Sequence, residues 1–265
     1  MSITTLLFDI GNTNIKIGFA TKTGIGPQYT LPTDRRQTVD GLGLALDGVC
    51  RHAGVTLDDI EACVASSVVP AMAQLIRGAC REYLGKDILF VPEDIPIPLE
   101  NKYARPQEVG ADRLVGAYAA RRLMPDAASI ISVDFGTATN FDCVTGNTYL
   151  GGLLCPGVFS SVDALATRTA KLPHIALDID AQEPRIGRST AESINHGFVF
   201  GFAAMTEGLC ARLGAMLPGP VSVIATGGFA QSLAPVVSCF TLVRPDLLLE
   251  GLRVLYQEQG GGTSG

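Results

Sequence analysis

Short apolar runs rich in β-branched residues alternate with longer stretches of helical periodicity along the chain. Ile3 to Ile10 is the first such run, bounded by Gly11-Asn12, and predicts a buried strand. Asn14 to Ala20 predicts its hairpin partner and Gly26 to Pro32 a third strand. Thr33 to His52 predicts a helix capped at Thr33 or Asp34. Ile60 to Val68 predicts a strand, and Pro70 to Leu84 a helix with Pro at its start and Gly85 as its cap. A strand at Ile88 to Val91 leads into Pro92 to Pro98, whose three prolines require an extended loop. Pro106 to Met124 predicts a long helix with an apolar stripe through Val109, Leu114, Ala117 and Tyr118.

The order then restarts. Ser129 to Asp134 is again an apolar strand ending in Asp, Ala138 to Val144 returns from it, and Tyr149 to Leu154 follows. Helices are predicted near Val158 to Thr169 and Ala191 to Met216, strands at Val221 to Ala225 and Cys239 to Val243, and a last helix at Leu247 to Gln257. An apolar strand thus runs into an Asp-and-Gly turn twice, as Asp9-Ile10-Gly11-Asn12-Thr13 and as Asp134-Phe135-Gly136-Thr137-Ala138, about half the chain apart. Duplicated halves of this kind predict an α/β protein of two similar domains facing a shared cleft. The boundary falls near residues 123–128, giving domains 1–123 and 124–258 and a flexible tail at 259–265.

Composition narrows the partners. The formal net charge of −6 argues against a nucleic-acid footprint, which needs a basic face. The pairs Arg35-Arg36 and Arg121-Arg122 read as solvated helix faces. Seven cysteines at wide spacings without a C-x-x-C pair give no zinc pattern and suit a reducing, cytoplasmic setting. The most apolar long stretch, Gly197 to Leu217, contains Glu207 and Arg212 and reads as a buried helix, not a membrane span. His52, His174 and His196 are too far apart in sequence to suggest a metal cluster, and the Phe198, Phe200, Phe202 run reads as core.

Three features carry chemistry. At the two turns, glycine lets backbone N–H groups approach phosphate oxygens, Asn12, Thr13 and Thr137 add donors, and Asp9 and Asp134 are hard oxygen ligands for a cation. Lys16 follows the first turn and is a further phosphate candidate. Gly110-Ala111-Asp112-Arg113 puts an adjacent acid and base in an otherwise apolar helix, where burial is costly without a task. Thr226-Gly227-Gly228 after a strand would let a nucleoside approach the backbone.

These segments occur in a fixed order with Gly151-Gly152-x-x-x-Pro156-Gly157, over roughly residues 3 to 257. The ordered set resembles type III pantothenate kinases, a family of the acetate and sugar kinase, heat-shock ATPase and actin superfamily. The resemblance implies two ribonuclease-H-like (actin-like ATPase) domains around a central cleft. It further implies that Asp9, Ile10, Gly11, Asn12, Thr13, Asn14, Ile15 and Lys16 bind ATP phosphates, joined by Thr137. Asp112 would accept the proton of the pantothenate hydroxyl. Gly110, Ala111, Arg113, Tyr103 and Thr190 would hold pantothenate, and Asp134 would ligate K⁺ or NH₄⁺ beside Mg²⁺. Asn140 departs from the family, which usually has Thr there, and tuning of the second turn is expected. The family also implies a homodimer. Small residues at Ala111, Gly116, Ala117, Ala119 and Ala120 would let a second helix approach closely, from the same chain or from a partner.

The expected reaction is transfer of the ATP γ-phosphoryl group to the 4′-hydroxyl of pantothenate, the entry step to coenzyme A. Positioning and charge neutralisation supply most of such catalysis, so an ordinary carboxylate at Asp112 suffices, with a pKa of about 3.9. Two alternatives use the same fold: a phosphohydrolase that aligns water, and a non-catalytic accessory or ligand-sensing protein. Tyr103 and the Gly110 to Arg113 segment favour the kinase over the first, and retention of Asp9, Asp112 and Asp134 argues against the second.

Overall fold

The computed structural model describes residues 5–167, 177 and 183–260. In chain order the elements are β1 (Thr5–Ile10), β2 (Asn14–Ala20), β3 (Ile25–Pro32), α1 (Val39–Ala53), β4 (Ala62–Ser67), α2 (Pro70–Ala79) and β5 (Ile88–Val91). They continue with β6 (Glu100–Asn101), α3 (Ala111–Leu123), β7 (Ser129–Phe135), β8 (Ala138–Thr145), β9 (Thr148–Pro156) and α4 (Val158–Thr167). The last are α5 (Thr190–Gly214), β10 (Val221–Thr226), α6 (Ala230–Leu233), β11 (Leu242–Val243) and α7 (Leu247–Glu258). The start of the first predicted strand, the end of the helix predicted to Thr169, His174 and most of the predicted tail lie outside the described residues.

The described chain divides into two compact units, residues 5–99, 105–119 and 248–260 in one, residues 100–104 and 120–247 in the other. The first unit thus also takes the C-terminal helix, which chain order alone assigns to the second half. In the first unit the sheet order is β3-β2-β1-β4-β5. β1 pairs antiparallel with β2 and parallel with β4. Both faces of β1 are covered, which is why its sequence reads as a continuous apolar run. Leu6, Phe8 and Ile10 pack with Leu42, Leu46 and Met72 of α1 and α2. Leu7 packs on the other face with Val115 and Tyr118 of α3 and Leu249 and Leu252 of α7.

The second unit repeats the arrangement as β11-β10-β7-β8-β9, with β6 added at the β9 edge. β7 pairs antiparallel with β8 and parallel with β10, as β1 does with β2 and β4. Ile131, Val133 and Phe135 enter an apolar core with Ala203 and Cys210 of α5 and Leu233 of α6. The intervening residues Ser132 and Asp134 of β7 point to the opposite face, by the period of two along a strand.

Three departures from the sequence reading have local causes. The first helix begins at Val39, not Thr33, because Thr38 is its cap and its hydroxyl accepts the Gly41 N–H. The predicted helix from Pro106 is broken: Pro106–Glu108 forms a 3₁₀ turn, Val109 is extended, and the α-helix starts at Ala111. Of the small residues of that helix, Ala111 and Gly116 stay partly exposed and the others pack internally. Ala117, Ala119 and Ala120 are buried, and Gly251 of α7 packs against Val115 and Ala119. Among the described residues no helix is long and apolar enough to cross a membrane.

Candidate active site

In the first unit the turn between β1 and β2 is closed by the Gly11 N–H donating to Asn14 O at 3.0 Å. The side chains of Asn12, Thr13 and Asn14 are exposed at its tip, while Ile10 and Ile15 anchor it in the core. Asp9 and Lys16 face each other across the two strands. The segment after β3 braces the turn. Thr33 Oγ1 donates to Gly11 O at 2.8 Å, and the Thr33 N–H donates to Thr13 O at 2.9 Å. Arg35, expected on a solvated helix, precedes α1 and places its Nη2 3.5 Å from Asn12 Oδ1.

Asp112 reaches the same end of this sheet. The Val68 N–H, just past β4, donates to Ile10 O at 3.1 Å, so Val68 sits beside the first turn. A Cβ on Gly110 would lie 2.3 Å from Asp112 Oδ1 and 3.3 Å from Val68 Cγ1. Glycine at 110 therefore lets the carboxylate fold back over its own backbone toward Val68. Asp112 lies in the first turn of α3 and its Oδ1 accepts the Arg113 N–H at 2.8 Å. Burial raises its pKa above the ordinary carboxylate value, against the lowering effect of that hydrogen bond and of the Arg113 charge. The expectation of an unperturbed Asp112 is thus corrected: desolvation outweighs the N–H bond and the guanidinium.

In the second unit Asp134 is the penultimate residue of β7, and Thr137 lies in the exposed turn before β8. Ser160 Oγ of α4 donates to Thr137 O at 2.9 Å, tying that turn to the helix behind it. Thr226-Gly227-Gly228 follows β10, whose Thr226 is level with Asp134. Gly227 has φ +89°, and a Cβ there would lie 2.3 Å from Asp134 Oδ1 and 2.7 Å from the Phe135 backbone. Thr226-Gly227-Gly228 is the segment expected to let a nucleoside approach; Gly227 also leaves room for the Asp134 carboxylate.

Tyr103 follows β6, its N–H held by Asn101 Oδ1 at 3.0 Å, and its ring lies against Gly151 of β9. Thr190 opens α5, next to the cap Ser189, whose Oγ accepts the Glu192 N–H. It lines an open cavity of about 670 Å³ with Arg188, Ser193 and Leu165. The structure therefore gathers the Gly11 turn, Val68, Gly110 and Asp112 in one unit, and Asp134, Thr137 and Gly227 at one end of the sheet in the other. Thr33 is the residue the sequence reading passed over; its position directly after a strand that pairs with β2 was the available signal.

Two sheets of the same order, each carrying an Asp-and-Gly hairpin turn beside its first strand, define the actin-like ATPase class of fold. The activator of 2-hydroxyisocaproyl-CoA dehydratase from Clostridium difficile, solved with bound ADPNP, shares the fold with a TM-score of 0.56 at 17% identity, over 98% of this chain and 96% of that one. At the level of family, the model described as type III pantothenate kinase matches residues 5–212. The type III pantothenate kinase of Nitratidesulfovibrio vulgaris (strain DSM 19637 / Miyazaki F) is 64% identical over 254 residues, covering 96% of this chain and 97% of its own. That of Oleidesulfovibrio alaskensis is 63% identical over 255 residues, with the same coverage. The chain belongs to the type III pantothenate kinase family.

Proposed function

We propose that the protein transfers the γ-phosphoryl group of ATP to the 4′-hydroxyl of pantothenate, with Asp112 taking the hydroxyl proton. The observation that carries this reading is the half-buried Asp112 carboxylate, lying against Gly110, whose other neighbour is Val68 at the end of the sheet that bears the first turn. A raised pKa makes it a better proton acceptor than a solvated aspartate. The exposed donors of Asn12 and Thr13, the backbone N–H groups of the turn and Lys16 are proposed to hold the ATP phosphates, and Thr137 to join them. Arg113, Tyr103 and Thr190 are proposed to orient pantothenate, Arg113 through its fixed charge.

Among the described residues no three His, Cys, Asp or Glu group together to hold a metal ion. That suits Mg²⁺ carried chiefly by ATP phosphates and water, with Asp9 as its protein oxygen. Asp134, seated against Gly227, fits a monovalent cation, K⁺ or NH₄⁺. These ions would neutralise charge on the transferring group; the protein's part is to position the alcohol, the phosphates and the proton acceptor.

A homodimer in the cytoplasm completes the proposal. Leu154 and Phe159 are among the apolar side chains that are more than half exposed, beside Leu44, Ile186 and Met216, and are proposed as those offered to a second copy. The deciding experiment measures ADP release by the purified protein with and without pantothenate and identifies the product by mass. ADP formed at the same rate without pantothenate would indicate a hydrolase, and no ADP in either case an accessory protein.

A further inference from the structure

The face of the second sheet that carries Asp134 also carries a buried oxygen with nothing to bind. Asn140 of β8 is directly opposite Asp134 of β7 in an antiparallel pair, and Thr226 of β10 is opposite Asp134 on its other side. Side chains at opposed positions project from the same face, with Cβ atoms about 5 Å apart. Asn140 Oδ1 is buried and has no hydrogen-bond partner among the described residues. A buried carbonyl oxygen left so loses its hydration without replacement. Here it shares its face with a carboxylate, and two acceptors side by side call for something positive between them.

We propose that Asn140 Oδ1 is a ligand of the monovalent cation bound at Asp134, and that it sets the affinity of that site. The inference rests on the reading of Asp134 as the cation ligand. An amide oxygen suits K⁺, whose hydration shell is replaced by neutral carbonyl oxygens in protein sites. The Gly227 position leaves the Asp134 carboxylate room on the other side, because no side chain is present there. A hydroxyl at position 140 would serve less well. Its one oxygen is both donor and acceptor, whereas the amide keeps its acceptor oxygen apart from its donor nitrogen. The amide oxygen can only accept, so the cation is the partner it waits for.

The test uses the whole chain without nucleotide, in choline chloride at constant ionic strength, and follows the unfolding midpoint as KCl replaces choline. An ion that binds only the folded chain raises the midpoint once its concentration passes the dissociation constant. Wild type is expected to rise with K⁺, and Asp134→Ala to lose the rise. Asn140→Leu, with the same branching but without the oxygen, is expected to need at least about fivefold more K⁺ for the same rise. Asn140→Thr is expected to fall between the two and serves if the Leu variant does not fold. Because each variant is compared with itself in choline, its own change in stability cancels. A wild-type K⁺ response in Asn140→Leu and Asn140→Thr, with none in Asp134→Ala, would overturn the role of Asn140 and leave the cation at Asp134. No K⁺ response in the wild type would remove the cation reading and the proposal together.

Discussion

Asp112 shows at the scale of one residue how a short motif becomes a chemical group with particular properties. Replacing it with Asn keeps its size and removes the proton acceptor. The expected result is a loss of at least about a hundredfold in kcat with nucleotide affinity nearly unchanged, read from steady-state rates and ATP titration. A variant with more than half the wild-type turnover would take Asp112 out of the mechanism. Its raised pKa has a sign that can be checked. Activity requires the ionised form, so it falls as pH drops through the folded-state value, and the acid limb of kcat/KM should lie above the ordinary carboxylate value of about 3.9. For stability the sign is the reverse. Ionising a buried carboxylate destabilises the fold, so Asp112→Asn should gain on wild type as pH rises from the unfolded value through the folded one. The type and place of this residue were legible from Gly-Ala-Asp-Arg alone; its desolvation was not, because burial depends on what the fold packs around it, such as Val68 beside Gly110, from a distant part of the chain.

At the scale of elements, the segment between β3 and α1 separates two threonines that look alike in sequence. Thr38 caps α1 through Gly41, while Thr33 braces the carbonyl of Gly11. Thr38→Ala should cost about 1 kcal/mol of stability, seen in denaturant unfolding, and leave the affinity for ATP as it was. Thr33→Ala should instead loosen the turn and weaken ATP binding severalfold, measured by titration. Equal effects of the two substitutions on ATP affinity would show that Thr33 has no special link to the turn. Apolar periodicity located nearly every strand, since β1 is covered on both faces and β7 sends Ile131, Val133 and Phe135 into the core. It misplaced the start of α1, because a threonine bonded to a neighbouring strand and a threonine capping a helix leave the same mark on the sequence. It missed β6, whose two residues, Glu100 and Asn101, are held by β9 and have no apolar pattern of their own.

For the molecule as a whole, the repeat of strand order is the largest feature legible in the sequence, through two Asp-and-Gly turns half a chain apart. Which part of the chain completes the first unit was not legible. Residues 248–260 join it because α7 offers Leu249, Leu252 and Leu255 to the face that Leu7 and Val115 expose, a contact between the two ends of the chain. Ala117, Ala119 and Ala120 of α3 serve this internal packing, so the proposed dimer is assigned to exposed apolar side chains elsewhere. Sedimentation over a concentration series, with specific activity measured on the same samples, is expected to show a dimer that loses activity as it dissociates. A monomer active at every concentration would end that proposal, and Leu154→Glu, which charges an exposed apolar position, should shift the wild-type equilibrium toward monomer.

The contact between Gly110 and Asp112 also bears on how such a chain can drift. Position 110 has no left-handed backbone demanding glycine; what excludes a methyl group is first the oxygen of Asp112 and then, less tightly, Val68. The two positions are therefore unequal partners in inheritance. A lineage that keeps the acid cannot vary the glycine without displacing the acid, whereas one that loses the acid frees the glycine to change soon afterwards. Alanine or serine at the place of Gly110 in a descendant would mark a carboxylate already moved or already idle, even where an aspartate is still written two residues further on.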